Sequence, residues 1–109
     1  MITEAERWTK EFYQKRGWSE YGPFIRIGFL VEEAGELARA VRAYEIGRDR
    51  PDEIKRPAAE LKRELIEEMG DVMGNLIMLA GLYDVSLEEM MEAHRKKLTE
   101  RFEEKRYAD

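Results

Sequence analysis

Cysteine is absent from the 109 residues and histidine occurs once, at position 94. The first gap excludes a disulfide framework and thiolate chemistry, and together the two exclude a Cys/His zinc site. No run approaches the 18 or more apolar residues of a membrane span. The start, Met1-Ile2-Thr3-Glu4, lacks the apolar stretch of a signal peptide. A soluble, cytoplasmic protein in a reducing compartment is expected. Positive charge is also in deficit, with 19 Lys and Arg against 24 Asp and Glu. That balance argues against a nucleic-acid polymer as partner, because such partners select basic surface. Hydrophobic residues nevertheless make up 43 % of the chain, enough to fold as one domain over residues 1–109.

What is present is helical. Thr3 with Glu6 forms a capping-box signature and opens a first helix to about Lys15, with Ala5, Trp8 and Phe12 on its apolar face and Gly17 ending it. The link from Gly17 to Pro23 is aromatic. Its Trp18 and Tyr21 are candidates either for packing over the bundle end or for stacking on a bound base. Pro23 suits the first turn of a second helix, Phe24 to Ile46. Residues 47–57 are polar and carry two prolines, so they read as a loop, and Arg48, Arg50, Lys55 and Arg56 within it are cations that an anionic ligand could meet. A third helix runs from Ala58 to Tyr83. Ser86 with Glu89 repeats the capping box and starts a fourth, to about Lys105, with Met90, Met91, Leu98 and Phe102 as core candidates around His94. The expected fold is all-α, a bundle of four to five helices whose core is completed in a homodimer or homotetramer.

Two acidic stretches stand out, Glu32-Glu33-Ala34-Gly35-Glu36 and Glu67-Glu68-Met69-Gly70-Asp71. On a wheel of about 100° per residue, Leu37, Leu30, Val41, Ala34, Ile27 and Ala38 fill an arc from roughly 40° to 140° beside Glu33. Val72, Leu65, Leu76, Met69, Ala80 and Met73 do the same beside Glu68. Each acid is expected at the rim of an apolar stripe, with Glu36 or Asp71 next to it. Gly35 and Gly70 hold matching places inside the helices although mid-helix glycine costs about 1 kcal/mol, which predicts close approach of the two backbones. If the rims meet, four carboxylates share a crevice. Oxygen-only ligands of this kind suit Mg²⁺ or Mn²⁺. A solvated acidic face is the alternative reading, since the same spacing recurs at Glu64/Glu67 and Glu89/Glu92. A carboxylate-bridged di-iron site is disfavoured, because it needs Glu-x-x-His on two helices and Met91 stands three residues before His94.

The ordered set Glu32-Glu33-Ala34-Gly35-Glu36-Leu37, Glu67-Glu68-Met69-Gly70-Asp71-Val72 and Lys97-Leu98-Thr99-Glu100-Arg101-Phe102 resembles the MazG family of all-α nucleoside triphosphate pyrophosphohydrolases. That resemblance covers about residues 18 to 102. It implies Mg²⁺-dependent cleavage between the α and β phosphates of a nucleoside triphosphate, releasing the monophosphate and pyrophosphate. A small nucleotide arriving with its metal is compatible with an acidic protein. By position, Glu33, Glu36, Glu68 and Asp71 match the metal ligands, and Glu32 the leading acid, as a further ligand or a residue that orients water. Lys97 and Arg101 match positions of phosphate contact. Trp18 and Asn75 are the candidates near the base. The family often has an aromatic residue at Asn75 and asparagine at Arg95, so base preference stays open, as does a role in nucleotide-pool cleaning or signalling. The related phosphoribosyl-ATP pyrophosphohydrolases usually show a Tyr-His pair soon after the second acidic motif; here Val72-Met73-Gly74-Asn75 follows. A non-enzymatic helical interaction module is the remaining alternative.

Overall fold

The computed structural model describes the backbone of residues 2–47, 51–52 and 54–108, and side chains as far as Glu103. Four α-helices follow one another: α1 (Glu4–Lys15), α2 (Pro23–Ile46), α3 (Ala58–Leu82) and α4 (Leu87–Ala108), with one 3-10 turn at Trp18–Glu20. The all-α expectation holds. Arg48 and Arg50 lie outside the described residues.

Local chemistry sets the helix ends. Thr3 Oγ1 accepts from Glu6 N–H while the Glu6 carboxylate accepts from Thr3 N–H, a complete capping box. Ser86 and Glu89 make the same reciprocal pair at α4. Gly17 leaves α1 in the left-handed region at φ 78°, and Pro23 occupies the first turn of α2.

The long helices α2 and α3 pack against each other as an antiparallel hairpin. Its register is fixed by two contacts. Arg26 donates to Asn75, and seven residues further along α2, Glu33 faces Glu68, seven residues earlier on α3. The seam is Arg26, Leu30, Glu33, Leu37 and Ala40 on α2, against Leu61, Leu65, Glu68, Val72 and Asn75 on α3. The three-then-four spacing is that of a coiled-coil stripe. Glu33 therefore sits at the centre of the buried line and not at its rim. Four of the six residues of the stripe expected on α2, Ile27, Ala34, Ala38 and Val41, are exposed in the single chain, because one facing helix covers less arc than the apolar residues span.

Helix α1 lies across the second half of α3 at two glycines. A Cβ on Gly74 would come within 3.1 Å of the Tyr13 hydroxyl, and one on Gly81 within 3.5 Å of Lys10. The inward face of α1 is Glu6 and Tyr13. Trp8 is 61 % exposed and stacks on Phe12 at 5.1 Å, so the apolar face expected on α1 is turned largely outward. A second expectation is overturned as well. Nothing lies within 4 Å of a Cβ built on Gly35 or Gly70, since both point away from the seam, and neither serves close approach of α2 and α3.

Helix α4 departs most from the expectation. Among the described residues it packs along no other helix, and Met91, Leu98 and Phe102 are exposed together with His94. The extents of 54 × 48 × 26 Å reflect its standing off from the hairpin. Its start is held by Glu6, 1 % exposed, whose Oε2 accepts from Leu87 N–H at 2.7 Å. One carboxylate thus closes the first turns of α1 and α4 together. Burial pushes the Glu6 carboxyl up, but the bonds from Leu87 and Thr3, with the charge of Lys10, outweigh it and hold it below its ordinary value of 4.5.

Replacing Glu6 by alanine removes these bonds and is expected to destabilise the chain by about 2 kcal/mol at neutral pH. A depressed carboxylate stabilises above its unfolded pKa and loses that contribution as pH falls through the folded one. The gap between E6A and the parent should therefore be full above about pH 4.5 and close on further acidification, as followed by urea denaturation at several pH values. A constant gap would remove the charge from the explanation.

Candidate functional site

Two turns of α2 and two of α3 bring the acids together. One carboxylate oxygen each from Glu33, Glu68 and Asp71 falls within a 4.8 Å span. Glu33 and Glu68 are half-buried in the seam and Asp71 is exposed at its mouth. Burial pushes the Glu33 carboxyl up, and the charges of Asp71, Glu68 and Glu36 and its bond to Glu68 push it further. Glu68 is likewise raised, first by burial and then by Asp71 and Glu36, while the bond from Glu33 pulls the other way. The folded chain thus holds concentrated negative charge against its own repulsion.

Of the other expected site residues, Glu36 stays outside the 4.8 Å set. It lies within electrostatic reach of Glu33 and Glu68, pairs with Arg39 at 3.3 Å, and lines a crevice with Glu64, Glu67 and Glu68. Glu32 is exposed and takes no part in the cluster. Trp18 and Asn75 are brought to it, as walls of a cavity of about 350 Å³ that also includes Glu33. Lys97 and Arg101 are exposed on α4, and within one chain that helix does not pack along the hairpin. Arg56, a loop cation that an anion could meet, is instead engaged by Glu60 and Glu64, with bonds of 2.7 and 2.9 Å among them.

Arg26 and Tyr13 are the residues that reading the sequence missed. Arg26 is 4 % exposed. Its Nη1 donates to Asn75 Oδ1 at 2.8 Å and its Nη2 to the Trp18 carbonyl at 2.6 Å. The guanidinium lies 5.4–5.9 Å from the ring centres of Tyr13, Phe29 and Tyr21. Asn75 in turn donates from Nδ2 to the Asp71 carbonyl at 2.9 Å, which links the guanidinium to the backbone of an acid. Burial pushes the Tyr13 hydroxyl up, Arg26 opposes this, and Asp71 and Glu33 reinforce it. A signal was available, because Arg26 is seven residues before Glu33 and so on the same line of the helix. A larger cavity, about 600 Å³, lies at the other end of the hairpin between Ala43, Ile46, Ile54 and Leu61. Among the described residues no carboxylate lines it, so size is a poor guide to chemistry here.

Comparison with known proteins identifies the family. The family model described as MazG nucleotide pyrophosphohydrolase domain matches residues 26–105. The chain is 72 % identical over 102 residues to the uncharacterized protein YvdC of Bacillus subtilis (strain 168), covering 94 % of this chain and 96 % of that one. It is 37 % identical over 86 residues to the uncharacterized protein YpjD of the same organism, covering 79 % and 68 % respectively.

A carboxyl raised in the folded state binds its proton more tightly there, so acidification stabilises the fold. Without divalent ions, thermal stability is expected to rise as pH falls from neutral toward the ordinary carboxyl value of 4.5. E33Q should be more stable than the parent by on the order of 1 kcal/mol at neutral pH, with a flatter pH profile. Circular-dichroism melts in chelator test both, and an E33Q protein that melts lower would show that repulsion is not what sets this energy.

Proposed function

Because the chain belongs to the MazG nucleotide pyrophosphohydrolase family, we propose that it hydrolyses nucleoside triphosphates between the α and β phosphates in a Mg²⁺-dependent reaction. The products are the nucleoside monophosphate and pyrophosphate. The observation that carries this reading is the oxygen cluster of Glu33, Glu68 and Asp71. Three hard oxygen donors in one small span, with two of the carboxyls raised first by burial and then by neighbouring negative charge, fit a divalent cation such as Mg²⁺ or Mn²⁺.

In this proposal Glu33, Glu68 and Asp71 hold the ion, with Glu36 beside them. A bound divalent ion supplies neutralisation of the triphosphate and a more acidic water. Glu36, whose carboxylate faces the crevice shared with Glu68, accepts the proton of the attacking water, with Glu32 as the outer acid of the motif. Arg39 orients Glu36 through its ion pair. Trp18 and Asn75 line the space for the nucleoside, which keeps the triphosphate in one pose while the water attacks.

Lys97 and Arg101 bear on phosphate only if they come from a second copy, since α4 stands clear of its own hairpin. The working form in this reading is a homodimer or homotetramer, in the cytoplasm, and its assembly covers the apolar residues exposed on α2 and α4. No helix among the described residues is long and apolar enough to cross a membrane.

Purified protein with Mg²⁺ should release pyrophosphate from at least one nucleoside triphosphate, and chelation should stop it. E36Q, E68Q and D71N should each lower the rate at least about 100-fold while keeping the helical circular-dichroism signal. Mg²⁺ should raise the melting temperature of the parent and not that of D71N. No pyrophosphate from any triphosphate, with the parent folded, would refute the assignment. Sedimentation should give a multiple of the 12.9 kDa chain mass, and a monomer would remove Lys97 and Arg101 from phosphate contact.

A further inference from the structure

The cavity beside the acids has a chemistry of its own. Its walls are Tyr13, Trp18, Tyr21 and Phe29, and its polar groups toward α3 are Arg26 and Asn75. Tyr13 and Trp18 meet edge to face at 5.2 Å, and Tyr21 and Phe29 lie 5.9 Å apart. Flat apolar faces around one fixed cation suit a planar heterocycle. Phosphate is the poorer occupant, because Glu33 shares the wall and would repel it.

Arg26 decides which heterocycle fits. A guanidinium has five N–H groups, and two of its bonds go to Asn75 and to the Trp18 carbonyl. Three N–H groups are left over, and Arg26 lines the cavity. Asn75 cannot swing away to serve a different base, because its amide is already committed at both ends, to Arg26 and to the Asp71 carbonyl. What the cavity offers is therefore a rigidly held guanidinium with donors to spare.

We propose that this pocket is a base site selective for 6-oxopurines, the guanine type, with Arg26 as the residue that sets specificity. The 6-oxo oxygen and N7 are adjacent acceptors and match a guanidinium fork with two bonds. Adenine places an amino donor where the oxygen would be, so donor would face donor. Uracil offers single acceptors beside a donor, and cytosine, whose O2 and N3 are adjacent acceptors, has a single ring that covers less of the aromatic wall than a purine does. Position agrees as well. Arg26 and Glu33 lie seven residues apart on α2, roughly 10 Å along the axis, so a base at the first and a triphosphate at the second lie along one helix. The inference rests on the pyrophosphohydrolase reading for its substrate, but base binding itself needs no catalysis.

The test separates the two. Guanosine and adenosine, without metal or phosphate, are titrated while tryptophan fluorescence is followed, since Trp18 is in the wall. Guanosine should bind at least roughly tenfold tighter, and in R26K, which keeps the charge and loses the fork, the difference should vanish while the circular-dichroism spectrum stays. Equal affinities, a preference for adenosine, or binding of neither would overturn the pocket assignment. So would an R26K protein that keeps the preference. A parent that prefers guanosine yet cleaves no triphosphate would sink the pyrophosphohydrolase reading and leave the base site standing. If the parent cleaves all triphosphates with equal kcat/KM and binds both nucleosides alike, the reverse holds. Should R26K fail to fold, the parent's own guanosine-to-adenosine ratio still decides.

Discussion

Two carboxyls facing each other in the seam of an antiparallel helix pair, Glu33 and Glu68, are the constraint around which the rest is arranged. A seam position on a coiled-coil stripe normally holds a leucine or isoleucine. An acid there gives up part of its hydration and meets a like charge, and both effects disfavour the folded state. Long helices are what make this tolerable. Leu30 and Leu37 on one side, and Leu65 and Val72 on the other, continue the seam past the acids in both directions. The apolar contacts fix where the backbone runs, and the acids inherit that position.

Register then does the work that a loop could not. A one-residue slip along a helix turns a side chain by about 100°, which would carry Glu33 out of the seam and away from Asp71. Arg26 with Asn75 prevents the slip two turns away, through a bond that is buried and directional. The same asparagine holds the carbonyl of Asp71. Acid cluster and aromatic cavity are therefore parts of a single alignment, and a change that loosens one loosens the other. Gly74 belongs to this set, because a Cβ there would come within 3.1 Å of the Tyr13 hydroxyl and crowd it.

Much of this was legible from local chemistry. Helix ends follow from groups within a few residues of each other, so the Thr3–Glu6 and Ser86–Glu89 boxes, Gly17 and Pro23 locate them closely. The acids of the two motifs are legible too, since spacing on a helix fixes which of them share a face. Depth is not legible in the same way. A wheel ranks residues by angle, but the buried line depends on which part of a wide apolar arc the partner covers, and α3 covers the part centred on Glu33. For that reason Ile27 and Val41 lie outside while Arg26 lies inside. The glycines at 35 and 70 mislead for a related reason: a small residue signals close approach only if its side of the helix faces something, and theirs does not.

Helix α4 shows the limit of reading any one chain. Its apolar residues Met91, Leu98 and Phe102 have helical spacing and so resemble a core, yet they are exposed. Its start is tied by Glu6, which binds Leu87 N–H. A helix of 22 residues is about 33 Å long, so a small change of angle at that tie moves Arg101 much further than it moves Leu87. Placement of Lys97 and Arg101 relative to any acid site thus depends in part on a buried carboxylate near the N-terminus, far from the motif in sequence. That lever arm gives a selective reason for burying a charge at Glu6, which two ordinary caps in separate places would not supply.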